Sequence, residues 1–422
     1  MQEIFKDIDK EAINICFGVD ENYALYASVV IKSILANSKN SKFNFFILYF
    51  ELSKEAQEKL KAYENQNISV NFIDVNPFLE LDKDIFFESA YIKKEAYLRI
   101  FIPLIFSDFE RILYLDSDVV VLRDIAELYN LDFEAAQVIA VADSVSLCWQ
   151  NENTQMEFKG EKIAYNDYLK NILKLQNPKK YFNSGMLLYN IPKCQDLHDK
   201  ALNVLEEITA PLFHDQDILN AILNKNCKII SEVYNYMLNI DYYENLIDIA
   251  PKELLESHYK NIKDATILHY AGVKKPWNLP HLFKANLWWE YARKTPYYEE
   301  ILFKMLSRIK ICDSSISAVA IVKSHLSYRL GKQLVSKNPL KILLLPLSLP
   351  LIILKSKLDK SIIKQIRPTK IALENCSDYK ESLKIKQSLS YRLGNALVKN
   401  PLSFIFKIPQ IFKEYKKDRD EK

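Results

Sequence analysis

The residues best suited to chemistry in this 422-residue chain are two aspartates one residue apart, Asp116 and Asp118, at the end of the apolar run Arg111-Ile-Leu-Tyr-Leu. Side chains two apart on extended backbone point the same way, so the pair can hold a hard divalent cation, directly or through water. A lone D-x-D is also a common turn; the strand before it and Val119–Leu122 after it make it more than that. A second apolar run, Thr266-Ile-Leu-His269, ends in an imidazole and continues as Tyr-Ala-Gly272-Val-Lys-Lys275-Pro-Trp277. A histidine there can complete a metal's ligand set, or be a satisfied structural residue. Its Gly-containing loop can approach a diphosphate, with Lys275 supplying positive charge. Two further polar clusters are Tyr181-Phe-Asn183-Ser-Gly185 and Phe213-His-Asp215-Gln216-Asp217. The latter also reads as a helix N-terminus, where aspartates meet unpaired N–H groups.

These groups need a scaffold, and the first ~275 residues alternate strand and helix patterns. Strands are expected at Ile13–Val19, Phe43–Phe50, Ile68–Val75, Arg111–Leu115, Val138–Ala142, Gly185–Tyr189, Lys228–Ser231 and Thr266–Tyr270. Helices are expected after Asn22, after a Ser53 cap, and over Ala90–Phe101 before Pro103. This alternation predicts an α/β fold with a mainly parallel sheet, whose ligands sit at the carboxyl ends of the strands. Asp20, Asp116 and Asp143 all fall at such ends.

Charge divides the chain. Residues 1–309 carry 34 Lys/Arg against 45 Asp/Glu, a net of −11, and residues 310–422 carry 23 against 9, a net of +14. An acidic body with a basic tail suggests an anionic surface as partner. The tail's basic residues are interleaved with aliphatics and match no common nucleic-acid module, so no nucleic-acid partner is expected. It contains a duplication: His325-Leu-Ser-Tyr-Arg-Leu-Gly331 is echoed by Ser388-Leu-Ser-Tyr-Arg-Leu-Gly394. The apolar run Leu340–Leu354, interrupted by Lys341, Pro346 and Pro350, is shorter than the ~20 residues a spanning helix needs. Its flanking lysines suit a segment at a membrane surface; a buried helical hairpin is the other reading. Six scattered cysteines, with no C-x-x-C pair, predict reduced thiols, and the start has no apolar signal-like region. A cytoplasmic location, peripheral to the inner face of the membrane, is expected.

Taken together, Asp20-Glu-Asn22-Tyr23, Tyr97-Leu-Arg99, Asp116-Ser-Asp118, Phe182-Asn183-Ser-Gly185, Asp215-Gln216-Asp217 and His269-Tyr-x-Gly272-x-x-Lys275-Pro-Trp277 resemble glycosyltransferase family 8. That family comprises galactosyl- and glucosyltransferases of bacterial lipopolysaccharide and other surface polysaccharides, with their glycogenin-like relatives. The motifs stand in family order across roughly residues 11–280. The resemblance implies a GT-A fold, with a mixed, mostly parallel, Rossmann-like sheet and helices on both faces. With the charge split and the duplication, the expected division is a catalytic domain over 1–285 and a helical, basic, membrane-associating region over 286–422. The resemblance further implies a retaining transferase moving a hexose, galactose or glucose, from a UDP-sugar to a saccharide or lipid-linked saccharide acceptor. Asp116, Asp118 and His269 would ligate Mn²⁺, with Mg²⁺ also admissible. Asp20, Asn22 and Tyr23 would line the nucleoside pocket, and Gly272 and Lys275 the diphosphate. Arg99, Asp143, Asn183, Asp215 and Gln216 would surround the donor sugar, with Gln216, Asp215 and Lys275 as the catalytic group. Segment Ser144–Leu175 matches nothing in that pattern. The alternative is a catalytically weak UDP-sugar-binding or regulatory protein of the same fold. Intact Asp116, Asp118, His269, Lys275 and Gln216 argue against it. A nucleotidyltransferase would want a Gly-rich phosphate loop near the start, which Phe17-Gly18-Val19-Asp20 does not supply.

Overall fold

Strand β1 (Ile13–Gly18) is apolar at nearly every position, as suits a strand covered on both faces. Ile13, Ile15 and Phe17 enter one core while Cys16 enters another, and β2 (Phe43–Tyr49) splits its phenylalanines the same way. The remaining strands are β3 (Ile68–Asp74), β4 (Arg111–Leu115), β5 (Val119–Val121), β6 (Val138–Val141), β7 (Gln155–Phe158), β8 (Glu161–Ala164), β9 (Met186–Asn190), β10 (Cys227–Ile230), β11 (Tyr236–Met237) and β12 (Ile267–His269). This computed structural model describes residues 8–39, 41–78, 94–308, 317–335, 352–357, 378–401 and 403–420, with Phe5, Ser348 and Pro350. The chain divides into two compact units, residues 1–305 and 306–422.

In the first unit seven strands form one sheet in the order β10-β6-β9-β4-β1-β2-β3. Neighbours are parallel except at β9, which runs antiparallel to both β4 and β6. The mixed, mostly parallel sheet is thus as expected. Helices α1 (Ala24–Asn37), α2 (Lys54–Lys61), α3 (Ser144–Glu152), α4 (Leu197–Ile208), α5 (His214–Leu223), α6 (Ala285–Ala292) and α7 (Tyr298–Arg308) follow in order. Ser53 caps α2 by accepting from the Ala56 N–H, and Asp143 caps α3 by accepting from the Ser146 N–H at 2.8 Å. Three strands form a second sheet, β11-β12-β5, and β7 pairs with β8 as a hairpin.

The helix expected at Ala90–Phe101 is instead a 3₁₀ segment over Lys94–Ile100, with residues 90–93 outside the described set. A short 3₁₀ turn is what a helix start becomes when Pro103 opens the next one immediately after. The four described cysteines, Cys16, Cys148, Cys194 and Cys227, are free and buried.

The second unit contains α8 (Ala318–Ser324), α9 (Leu326–Leu334), α10 (Tyr379–Gln387), α11 (Leu389–Lys399) and α12 (Phe404–Asp420). The two copies of the repeat are α9 and α11, and they pack directly on each other. A Cβ on Gly331 would overlap the Ser390 carbonyl oxygen, and one on Gly394 would overlap that of Ser327. The crossing is therefore reciprocal, each Ser-x-x-x-Gly meeting the other. Small residues at that spacing let two backbones approach closely. Leu340–Leu354 lies mostly outside the described residues. No described helix is long and apolar enough to cross a membrane.

Candidate active site and metal centre

The antiparallel strand β9 of the seven-stranded sheet explains why distant motifs meet. Because β9 opposes β4, the start of β9 faces the end of β4: Met186 pairs with Leu115, and the Asp116 N–H donates to the Gly185 carbonyl at 2.8 Å. Asn183 and Ser184 therefore stand beside the two aspartates. The second sheet brings the histidine. β5 follows the aspartates directly, and β12 pairs antiparallel to it with His269 opposite Val119. The Tyr270 N–H donates to the Asp118 carbonyl at 3.0 Å.

Ligand atoms of Asp116, Asp118 and His269 all lie within 4.8 Å of one another. His269 Nε2 stands 3.2 Å from Asp118 Oδ1 and 4.0 Å from Asp116 Oδ2. Asp118 Oδ1 is buried and has no hydrogen-bond partner among the described residues. A buried acceptor left so is costly, and a cation relieves that cost. A Cβ on Gly185 would overlap the His269 ring and come within 2.8 Å of Asp116 Oδ2, so only glycine leaves this cradle open. Two carboxylates and an imidazole are a donor set that fits Mn²⁺, and Mg²⁺ less selectively.

The surrounding charges are ordered around this cradle. Lys275 Nζ bonds to Asp118 Oδ2 and donates to the Tyr270 carbonyl at 2.8 Å. Burial pushes the Asp118 carboxyl up, but Lys275 and His269 outweigh it and hold the group well below the usual carboxylate range. Lys274, by contrast, is committed to the Tyr242 carbonyl and sits 4.4 Å from the Tyr243 ring centre. Between His269 and the two lysines, Gly272 adopts φ +77°, a conformation glycine takes without strain.

Arg99 is the buried cation on the other side, 5% exposed. It pairs with Asp116 Oδ1 at 2.9 Å and Asp215 Oδ2 at 3.2 Å, and donates to Ser184 O and Oγ at 2.6 and 2.9 Å. Its bonds thus brace two carboxylates. Tyr114 adds a bond to Asp116 Oδ1 at 2.8 Å. Burial pushes the Asp215 carboxyl up to about 6, with Arg99 opposing.

Gln216 is fixed at both ends. Its Oε1 accepts from the Ser184 N–H at 3.0 Å and Asn183 Nδ2 at 3.1 Å, while its Nε2 donates to Asp143 Oδ2 at 3.1 Å and Tyr181 OH at 3.3 Å. The structure thus gathers Arg99, Asp116, Asp118, Asp143, Asn183, Asp215, Gln216, His269 and Lys275 into one connected network. Asp20, Asn22 and Tyr23 stand at the carboxyl end of β1, next to β4, where Asp20 Oδ1 accepts from the Tyr23 N–H at 2.7 Å to open α1. Asn22 and Tyr23 are exposed there. Sequence reasoning did not single out Asn235, which is fully buried and accepts from His269 Nδ1 at 2.9 Å. No periodicity or motif marks it in Ser-Glu-Val-Tyr-Asn235.

Known proteins are similar to this chain. The chain is 29% identical over 282 residues to the lipopolysaccharide 1,2-glucosyltransferase of Escherichia coli, spanning 64% of this chain and 74% of that protein. It is 27% identical over 283 residues to the lipopolysaccharide 1,3-galactosyltransferase of Salmonella typhimurium, with the same coverages. Among solved structures, the bifunctional glycosyltransferase WbbM superposes with a TM-score of 0.63 at 25% identity, over 71% of this chain and 52% of that one. The galactosyltransferase LgtC, solved with donor and acceptor sugar analogues, superposes with a TM-score of 0.54 at 22% identity, over 67% of this chain and 96% of that one. The body is thus a GT-A fold. A profile described as a domain of unknown function (DUF8374) matches residues 290–418. The profile of Glycosyl transferase family 8 matches residues 14–279, through every motif of the site, and the chain belongs to that family.

Proposed function

We propose that this protein is a retaining, metal-dependent hexosyltransferase. It moves galactose or glucose from a UDP-sugar to a saccharide or lipid-linked saccharide acceptor in lipopolysaccharide or polysaccharide synthesis. The observation that carries the reading is the convergence of Asp116, Asp118, His269 and Lys275 beside the fixed Gln216 amide. Asp116, Asp118 and His269 would hold Mn²⁺, whose chemistry when bound is Lewis-acid stabilisation of a leaving diphosphate. Lys275 would add positive charge where that diphosphate departs. Asp20, Asn22 and Tyr23 would bind the nucleoside, and Gly272 would let the backbone approach the phosphates.

Retention requires a covalent intermediate or attack on the face the leaving group vacates. Asp215 is tied to Arg99 and Ser184, and Asp143 to Ser146, Asn183 and Gln216. Carboxylates so engaged are poor candidates for a mobile nucleophile. Same-face attack follows: the bond to the diphosphate breaks, the acceptor oxygen bonds to the anomeric carbon, a phosphate oxygen of the leaving group would take the acceptor's proton, and the Gln216 carbonyl would stabilise the oxocarbenium-like centre. The test is UDP release from a panel of UDP-sugars with and without Mn²⁺. One UDP-hexose should be hydrolysed in the presence of Mn²⁺, and Asp118→Ala should abolish the signal. If no donor releases UDP and calorimetry detects no UDP binding, the reading fails.

The basic second unit would hold the enzyme at the inner membrane face. Helix α12 packs on its Phe404, Ile408, Ile411 and Tyr415 side, and Arg392 of α11 reaches Asp418 at 2.5 Å. Its outer side exposes Ile405 (72%), Phe406 (83%) and Phe412 together with Lys407, Lys413 and Lys416. Large apolar groups ringed by lysines suit the headgroup region of an anionic bilayer.

A further inference from the structure

Amide orientation and ring tautomer can be assigned near the metal centre, because two groups there have only one role each. The Gly185 backbone N–H can only donate, and the Asp143 carboxylate accepts, as it does from the Ser146 N–H. Asn183 stands between them. Its Oδ1 accepts from Gly185 N at 3.0 Å, and its Nδ2 faces Asp143 Oδ2 and Gln216 Oε1, each at 3.1 Å. The Asn183 amide is therefore oriented by backbone and carboxylate. Its Oδ1 also receives a hydrogen bond from Asn235 Nδ2 at 2.9 Å. That fixes Asn235 in turn: its Nδ2 points to Asn183, so its Oδ1 points to His269 Nδ1, 2.9 Å away. An amide oxygen can only accept, so Nδ1 must carry the proton.

We infer that Asn235 is a positioning residue that accepts the Nδ1–H of His269 and so presents Nε2 as the nitrogen that would ligate the cation. This rests on the metal-dependent reading above. The consequence is visible in the same contacts. Nε2 faces Asp118 Oδ1 at 3.2 Å, so the two ligand atoms converge on one point. The backbone holds the ring in the same pose: β11 runs parallel to β12, and the Leu238 N–H donates to the His269 carbonyl at 3.0 Å. The relay also joins the metal side to the sugar side, since Asn183 contacts Gln216 and Asp143. Residues that orient a ligating histidine contribute about 10- to 100-fold to metal affinity.

The experiment uses the full chain with ¹⁵N-histidine labelling, the His269 signals being assigned with His269→Gln. At a pH high enough to leave the ring neutral, wild type should show a protonated Nδ1 and a bare Nε2, and it should bind Mn²⁺ by calorimetry in the presence of UDP. In Asn235→Ala the ring should become a tautomer mixture, with Mn²⁺ affinity about 10- to 100-fold lower. Asn235→Asp keeps an acceptor for Nδ1 and should retain the tautomer, while setting its carboxylate against Asn183 Oδ1. Should the alanine variant fail to fold, Asn235→Ser, too short to reach the ring, carries the same expectation. A wild-type tautomer and wild-type Mn²⁺ affinity in Asn235→Ala would overturn the assignment. Wild-type protein that binds no Mn²⁺ would overturn the metal reading instead, and the ring tautomer would still decide the role of Asn235.

Discussion

Asp217 has no exposed surface and accepts from Tyr168 OH at 2.6 Å, Tyr181 OH at 2.7 Å and the Phe213 N–H at 2.8 Å. Burial nevertheless pushes its carboxyl from 3.8 up to about 6, against those three bonds. A carboxyl with a raised folded pKa favours the folded state when protonated. Its contribution is fully present below about 3.8 and is lost as pH rises through about 6. A shift of that size corresponds to about 3 kcal/mol. Asp217→Asn cannot ionise, so its unfolding free energy should fall less than that of wild type between about pH 4 and 7. Urea denaturation at a series of pH values measures this, and parallel profiles for the two proteins would contradict it. Asp215 shares the upward direction but pairs with Arg99, so the same change there would leave the buried guanidinium with Asp116 as its one remaining carboxylate among the described residues.

At the scale of elements, the site is made by two pairings, β4 with β9 and β5 with β12. Asp116 and His269 were legible because each closes an apolar run, and Asp118 because it stands two residues beyond Asp116; a strand end is where a parallel sheet presents its ligands. Asn235 was not legible. It stands in an irregular stretch, and its partners lie 34 and 52 positions away. The inward braces of Arg99 were hidden for the same reason, since Ser184 is 85 positions from it and only the antiparallel turn of β9 brings it near. The 3₁₀ course of Lys94–Ile100 escaped periodicity because seven residues are too few to separate a 3₁₀ from an α pattern. In the second unit the element-level constraint is the α9–α11 crossing. Gly331→Ala forces a methyl onto the Ser390 carbonyl, so the helices must part. Overpacking of that kind costs about 1–3 kcal/mol. Hydrogen exchange should quicken across α9 and α11 while UDP-sugar hydrolysis by the first unit persists. Unchanged exchange there would show that the crossing has room.

For the whole molecule the dominant fact is the division into a body of net −11 and a tail of net +14. Each Lys or Arg near an anionic surface contributes on the order of 1 kcal/mol, so the proposed membrane role predicts charge-dependent binding. The double variant Ile405→Asp, Phe406→Asp should lose co-sedimentation with phosphatidylserine-containing vesicles and keep its UDP-sugar hydrolysis. Binding should also weaken as salt rises, because the lysine contribution is screened. Equal binding of wild type to purely zwitterionic vesicles would remove charge from the account.

The reciprocal crossing of the two repeat copies has a consequence of its own. Ser327 meets Gly394 as Ser390 meets Gly331, so the two helices exchange places under a half-turn. Such a contact is self-complementary, the arrangement by which identical subunits pair. One chain here supplies both partners, and a chain shortened to a single copy would expose a face shaped for its own twin. Truncation between the copies therefore does more than halve the unit: it turns an internal seam into an adhesive surface, and the shortened protein should run as a dimer.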